Sequence, residues 1–185
     1  MAARHSWLRR SLLTLAIVGL IALLIQPPGT TPVVAAPAPA FTGTETDWLN
    51  GGPLNWEQLR GKVVLLDVWT FECWNCYRSF PWLNDLAARY AGEDFQVVGI
   101  HSPEFDREKD RDAVARKIDE FELHHPVMLD NDFAYWKALG NRYWPAFYLI
   151  DKQGVIRYRH VGETHIDSRQ GNALETQLKQ LLAEH

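Results

Sequence analysis

Cysteine is almost missing from this chain: there are two in 185 residues, three apart, at Cys73 and Cys76. That scarcity excludes a fold stapled by several disulfides, and a bridge closing so small a loop restrains too little chain to serve stability. It also excludes a four-sulfur zinc site, and His101, His124, His125, His160 and His165 stand singly or side by side, without the spacing that would complete one. No metal and no other cofactor is expected. Acidic residues are absent before position 41, where Arg4, Arg9 and Arg10 are the only Lys or Arg. The other 16 Lys and Arg face all 23 Asp and Glu, a net charge of −7 beyond that point, which excludes the basic surface a nucleic acid needs. The longest apolar run, 11–25, is short as well: as a helix it would reach about 22 Å against a hydrocarbon core of about 30 Å.

A basic start followed by that run is an export signal, so residues 1–25 are expected to be a signal peptide or an N-terminal membrane anchor. Residues 26–44 read as a Pro/Ala-rich linker, with Ala38-Pro-Ala40 as a possible cleavage site. Residues 45–185 then form the working domain outside the cytoplasm, in the periplasm or cell envelope. With 46% apolar and 12% aromatic residues overall, the chain can build a proper core.

What is present gathers around the cysteines, in Asp67-Val-Trp-Thr-Phe-Glu-Cys73-Trp-Asn-Cys76-Tyr-Arg-Ser-Phe-Pro81. Val63 to Trp69 is apolar and β-branched behind Gly61, the pattern of a buried parallel strand. Cys76, Phe80, Leu83, Ala87 and Tyr90 recur on one face of a helix predicted from about Trp74 to Tyr90. Cys73 thus stands at a helix N-terminus, where free N–H groups and the positive end of the macrodipole favour a thiolate. Cys76, one turn on, is placed to resolve a mixed disulfide formed by Cys73. The reading is thiol–disulfide exchange through a redox-active Cys73–Cys76 disulfide. Asp67, alone in an apolar strand, should have its pKa raised by burial, and can take or give the proton of Cys76. Glu72 and Asn75 are expected to tune the pair, Glu72 by opposing the Cys73 thiolate and making the couple more reducing.

These residues resemble the active site of the thioredoxin superfamily, and within it the exported proteins of the TlpA and DipZ kind. An acid stands six residues before the first cysteine (Asp67), a tryptophan four before it (Trp69) and a proline five after the second (Pro81). The likeness to the periplasmic domain of DipZ-type cytochrome c biogenesis proteins extends through Trp48-Leu-Asn-Gly-Gly-Pro-Leu54, His101-Ser-Pro-Glu-Phe105, Leu129-Asp-Asn-Asp132 and Asn141-Arg-Tyr-Trp-Pro-Ala146. Glu72 and Trp74-Asn75 depart from thioredoxin itself. The resemblance implies an α/β, thioredoxin-like fold: a central mixed β-sheet with helices on both faces and a TlpA-like αβ insertion. It implies that Pro145 is a cis-proline facing the cysteines, with the Trp144 backbone open to an extended substrate chain. Trp74, Trp144 and Pro145, with Trp82 a further candidate, would line a shallow substrate groove. The implied partners are cysteine-containing proteins and a membrane thiol electron donor, with the chain a monomer acting as a reductant in cytochrome c maturation or disulfide repair.

Along the rest of the chain, strands are predicted over 95–100, 127–129, 146–150 and 155–160. Helical stripes comprise Val114, Ile118 and Phe121; Phe133, Trp136 and Leu139, closed by Gly140; and Leu174, Leu178 and Leu181, capped by Asp167 or Ser168. Trp48 to Trp56 is expected to cover a sheet edge, and Asp106 to Asp112 to be a solvated charge run. His101 and Glu104 either border the cysteine pair or lie in a solvated loop. Two other functions are compatible with parts of the pattern. Thr70, three residues before Cys73, suggests a peroxiredoxin-like peroxidase, although Leu66 stands where a proline would be expected. Two soft thiolates also suit a copper-binding assembly factor.

Overall fold

The computed structural model describes residues 31–184, so the export signal expected over residues 1–25 lies outside the described residues. Among the described residues, no helix is long and apolar enough to cross a membrane. Seven strands form one mixed sheet: β1 (Thr31–Pro37), β2 (Trp48–Leu49), β3 (Val63–Trp69), β4 (Phe95–His101), β5 (Val127–Leu129), β6 (Ala146–Ile150) and β7 (Val155–Val161). Their order is β1-β7-β6-β3-β4-β5-β2. β3, β4 and β5 are parallel, and the remaining neighbours antiparallel. All seven residues of β3 are buried, which is why its sequence is continuously apolar instead of alternating.

Four helices complete the α/β architecture: α1 (Trp74–Arg89), α2 (Arg111–Glu120), α3 (Ala134–Ala138) and α4 (Arg169–Ala183). Two successive crossovers, β3-α1-β4 and β4-α2-β5, step in the same direction along the sheet, and right-handed crossovers of that kind put both helices on one face. That face packs Leu65 and Trp69 of β3 against Phe80 and Leu83 of α1, Ile118 of α2 and Leu178 of α4. The opposite face, carrying Val64, Leu66 and Val68, is closed by the five-residue α3 and the chain before β3. Helices therefore flank both faces, but unequally. Phe41 supplies much of the second cover, stacking on Trp56 at 5.0 Å and Tyr135 at 5.3 Å and meeting Trp48 edge-on at 5.3 Å. The tryptophans of this segment are core and edge-cover residues, as expected, and α2, β5 and α3 lie between β4 and β6, where the αβ insertion is expected.

One expectation needs correcting. Part of the segment read as a linker over 26–44 is strand: Thr31–Pro37 pairs along β7, from Thr31 opposite Arg159 to Pro37 opposite Val155. Proline cannot donate to a ladder, but an edge strand leaves one side free, so Pro32 and Pro37 fit there. Elsewhere local chemistry sets the helix ends. Asp110 caps α2 through Ala113 N–H at 2.8 Å, and Ser168, not Asp167, caps α4 through Gly171 N–H at 3.0 Å. Gly140 follows α3 with φ of +62°, a conformation open to glycine without strain.

Candidate active site

β3 delivers the chain to the carboxyl end of the sheet, and the turn after it places Cys73 as the N-cap of α1. Cys73 and Cys76 are joined in a disulfide with a Cα–Cα distance of 5.2 Å. The Cys76 N–H donates to Cys73 Sγ at 3.2 Å and to the Cys73 carbonyl at 3.0 Å, so one donor of the helix's first turn already points at the sulfur. Cys73 is half-buried and Cys76 fully buried, so an incoming sulfur can reach only the first of them.

Asp67 belongs to the face under α1, by strand alternation with Leu65 and Trp69. In the sheet it lies between Gly99 of β4 and Phe147 of β6. It is 1% exposed, neither carboxyl oxygen has a hydrogen-bond partner among the described residues, and burial pushes its pKa up to about 8. At neutral pH it therefore carries a proton on the same side of the sheet as Cys76.

Trp144 and Pro145 are brought to the pair because Ala146 opens β6 opposite Val68. The Trp144–Pro145 peptide is cis and Pro145 is buried. An open cleft of about 420 Å³ runs between Cys73, Trp74 and Asn75 on one side and Glu104, Arg142, Tyr143 and Trp144 on the other. Trp74 is 68% exposed and Tyr143 62%, large apolar areas for a soluble surface. Trp144 is more fixed: its indole donates to the Ser102 carbonyl at 3.0 Å and packs on Trp136 at 4.3 Å. Trp82 is not in the groove. It is 2% exposed and meets Phe147 edge-on at 5.1 Å inside the core, because its place on α1 turns it toward the sheet.

Glu72 needs a second correction. It does not stand as a free negative charge beside Cys73, since both its oxygens accept from Arg107, which holds the carboxyl below its usual range. Its push against the thiolate is thereby offset. The neighbouring Glu108 is fully buried, and its carboxylate accepts from the N–H groups of Glu72 at 3.0 Å, Glu104 and Phe105 at 2.7 Å. Glu108 thus ties the loop after β4 to the residue preceding Cys73. Nothing in its sequence setting singles it out, because it lies in what reads as a solvated charge run. Glu104 borders the cleft, while His101 is buried beneath it, its ring 4.8 Å from Trp69 and 5.8 Å from Phe71. Burial lowers the His101 pKa to about 3, so the ring is neutral. Thr70 is likewise fully buried, and its hydroxyl has no partner among the described residues. Among the described residues, no group of three or more His, Cys, Asp or Glu is arranged to hold a metal ion.

Known proteins match this chain over most of its length. Residues 33–178 match the redoxin family model. Protein DipZ of Mycobacterium bovis is 39% identical over 78% of the chain, which spans only 20% of DipZ. Thiol-disulfide oxidoreductase YkuV of Bacillus subtilis is 32% identical over 80% of the chain and 95% of its own length. A thioredoxin-like protein solved in its oxidised form superposes with a TM-score of 0.70 at 31% identity, covering 80% of this chain and 96% of that one. With a disulfide at a helix N-terminus beside an open cleft, a buried proton-bearing acid on the sheet face under that helix and a cis-proline after the cleft residue Trp144, the chain belongs to the redoxin family, as a thiol–disulfide oxidoreductase of thioredoxin-like fold.

Proposed function

We propose that this chain reduces disulfides in other proteins outside the cytoplasm, drawing electrons from a membrane thiol donor, in the setting of cytochrome c maturation or repair of oxidised proteins. The observation that carries the reading is the half-buried Cys73 sulfur at the mouth of an open aromatic cleft, with Asp67 on the Cys76 side of the sheet below. A cleft this open, rimmed by exposed Trp74 and Tyr143, suits a polypeptide that brings its own disulfide to the surface. The Trp144 backbone beside Pro145 is the natural place for an extended substrate segment to pair.

The chemistry follows from the two burial states. In the reduced protein, Cys73 thiolate attacks one sulfur of the substrate disulfide, forming a mixed disulfide and releasing the other substrate sulfur as a thiolate. Asp67 first gives up the proton it holds at neutral pH, its carboxylate then takes the proton of Cys76, and the Cys76 thiolate attacks the Cys73 sulfur. The second substrate sulfur leaves, the Cys73–Cys76 bond closes, and two electrons have passed to the substrate. Asp67 suits this step because its raised pKa makes the carboxylate a base matched to a thiol.

Direction rests on the resemblance to TlpA and DipZ proteins; one relative of that group, thiol-disulfide oxidoreductase ResA of Bacillus thuringiensis, is 27% identical over 72% of the chain. Glu72 gives it little support, being paired with Arg107. The test is the reduction potential of the Cys73–Cys76 couple, measured by equilibration with glutathione. A value near that of thioredoxin, about −270 mV, is expected; one near −120 mV, as in strong oxidants, would overturn the reductive role.

A further inference from the structure

The mechanism leaves a proton stranded. When a substrate fills the cleft as a mixed disulfide, Asp67 must shed the proton it holds before it can take that of Cys76, and it is 1% exposed, on the sheet face that α1 covers. The cleft is occupied at that moment, so the proton needs another way out.

The neighbouring strand offers one. Gly99 pairs with Asp67 in parallel register, which puts the two residues about 5 Å apart on the same face. Gly99 has no side chain, and two nitrogens use the room: a Cβ there would meet His125 Nε2 at 3.2 Å and Trp69 Nε1 at 3.2 Å, with Val127 Cγ2 at 3.0 Å. Both nitrogens, and both Asp67 oxygens, are buried without a hydrogen-bond partner among the described residues. A donor, an imidazole nitrogen and a carboxyl thus converge beside one glycine, and three such partners are what one buried water requires. His125 itself is 6% exposed, yet it lines a surface cavity of about 300 Å³ together with Ala87, Tyr90, Phe95, Val97 and His124.

We infer that His125 is a proton-relay residue acting through Asp67, carrying the proton between that carboxyl and the surface cavity beside the C-terminal half of α1, away from the cleft. Burial, helped by the neighbouring His124, lowers the His125 pKa to about 4, so the imidazole is neutral at working pH and can accept a proton at one nitrogen while releasing one at the other. The titratable groups placed near it are Asp67, across from Gly99 on β3, Tyr90 at the C-terminal cap of α1 and the adjacent His124. No bond is made or broken at His125. It takes one proton from Asp67 and returns one to solvent, and the reverse applies when the dithiol is regenerated.

This inference rests on the thiol exchange proposed above, and the experiment separates the two. Reduction of a peptide disulfide by the reduced full-length chain is followed from pH 6 to 9 for the parent and for His125→Ala, His125→Gln, Gly99→Ala and Asp67→Asn. A parent chain that reduces nothing overturns the exchange reading and this one with it. If the parent turns over, His125→Ala should slow closure of the Cys73–Cys76 bond about tenfold near pH 7, and free imidazole should restore it through the cavity. Gly99→Ala, which fills the space where the nitrogens meet, and His125→Gln, which keeps the side chain's bulk without a transferable proton, should be slowed as well. All three effects should vanish in an Asp67→Asn background. A His125→Ala chain with the parent's pH profile, a loss that imidazole leaves untouched, or equal slowing without Asp67 would each overturn the relay. If His125→Ala does not fold, the same comparison of His125→Gln with and without Asp67 decides.

Discussion

Asp67 and Asp130 are each 1% exposed, in the same sheet protein, and they do opposite things. Asp130 accepts from the Tyr135 and Trp136 N–H groups at 2.9 Å each and from the Ser102 hydroxyl at 2.8 Å. Burial still pushes its pKa up, but those donors pull it back, and the carboxylate knots the end of β4 to the start of α3. Asp67 has no donor, and burial alone sets its pKa. A buried carboxylate supplied with donors is architecture, whereas one denied them is a proton store. On the two faces of the sheet the unpaired groups differ in kind: the titratable carboxyl and imidazoles without partners lie on the thiol face. The face of Asp130 also satisfies Tyr148, whose hydroxyl donates to Asn141 at 2.8 Å, and leaves the Tyr135 hydroxyl and the Trp48 indole unpaired, while the thiol face leaves Asp67, Trp69, His101 and His125 unpaired among the described residues.

The largest effect should come from removing the group that Asp67 serves. Cys76→Ser should abolish turnover and trap mixed disulfides through Cys73, visible on non-reducing gels, and adding Asp67→Asn should change that capture little. If the second substitution abolished capture, Asp67 would serve Cys73 instead. Asp67→Asn alone should slow disulfide closure about a hundredfold near neutral pH while making the fold more stable. The sign follows from proton counting. Between its unfolded value near 4 and its folded value of about 8, Asp67 holds a proton only in the folded state. Its contribution is thus fully present below about pH 4 and is lost as pH rises through 8. At pH 9 the asparagine variant should gain about 2–5 kcal/mol in urea melts, and almost nothing at pH 4. Asp130→Asn should do the reverse, losing about 2–4 kcal/mol with the exchange rate per folded molecule unchanged. Like behaviour of the two variants would break the comparison. The smallest effect belongs to the surface: Arg107→Ala frees Glu72, and the Cys73 thiol pKa, read from alkylation rates, should rise slightly at low salt and return at high salt.

Much of this was legible in the residues. The Cys73–Cys76 spacing, the apolar run of β3 and the stripe of α1 are local patterns, and the chain follows them; 127–129 and 146–150 were read to the residue. What escaped depends on contacts between distant segments. Glu108 looks like one more charge in a hydrophilic run until the loop folds over Glu72, 36 residues away. Arg107 cancels Glu72 across a similar gap, which no reading of the pair's immediate neighbours reveals. Trp82, offered as a further groove candidate, is settled as a core ring only by Phe147 of β6, a contact that no reading of α1 alone reveals. β1 was hidden by composition, since alanine and proline announce a spacer and only the partner strand β7 makes them a strand.

That first strand has a further consequence. Thr31 lies across from Arg159, and β7 in turn brings Val161 opposite Ala146, the residue after Pro145. The polypeptide therefore steps into the sheet at its sulfur-bearing end, not at the far one. Three strand spacings of about 4.8 Å separate that edge from β3, so the sheet's outermost strand and the strand that leads to its thiols share one end without being neighbours.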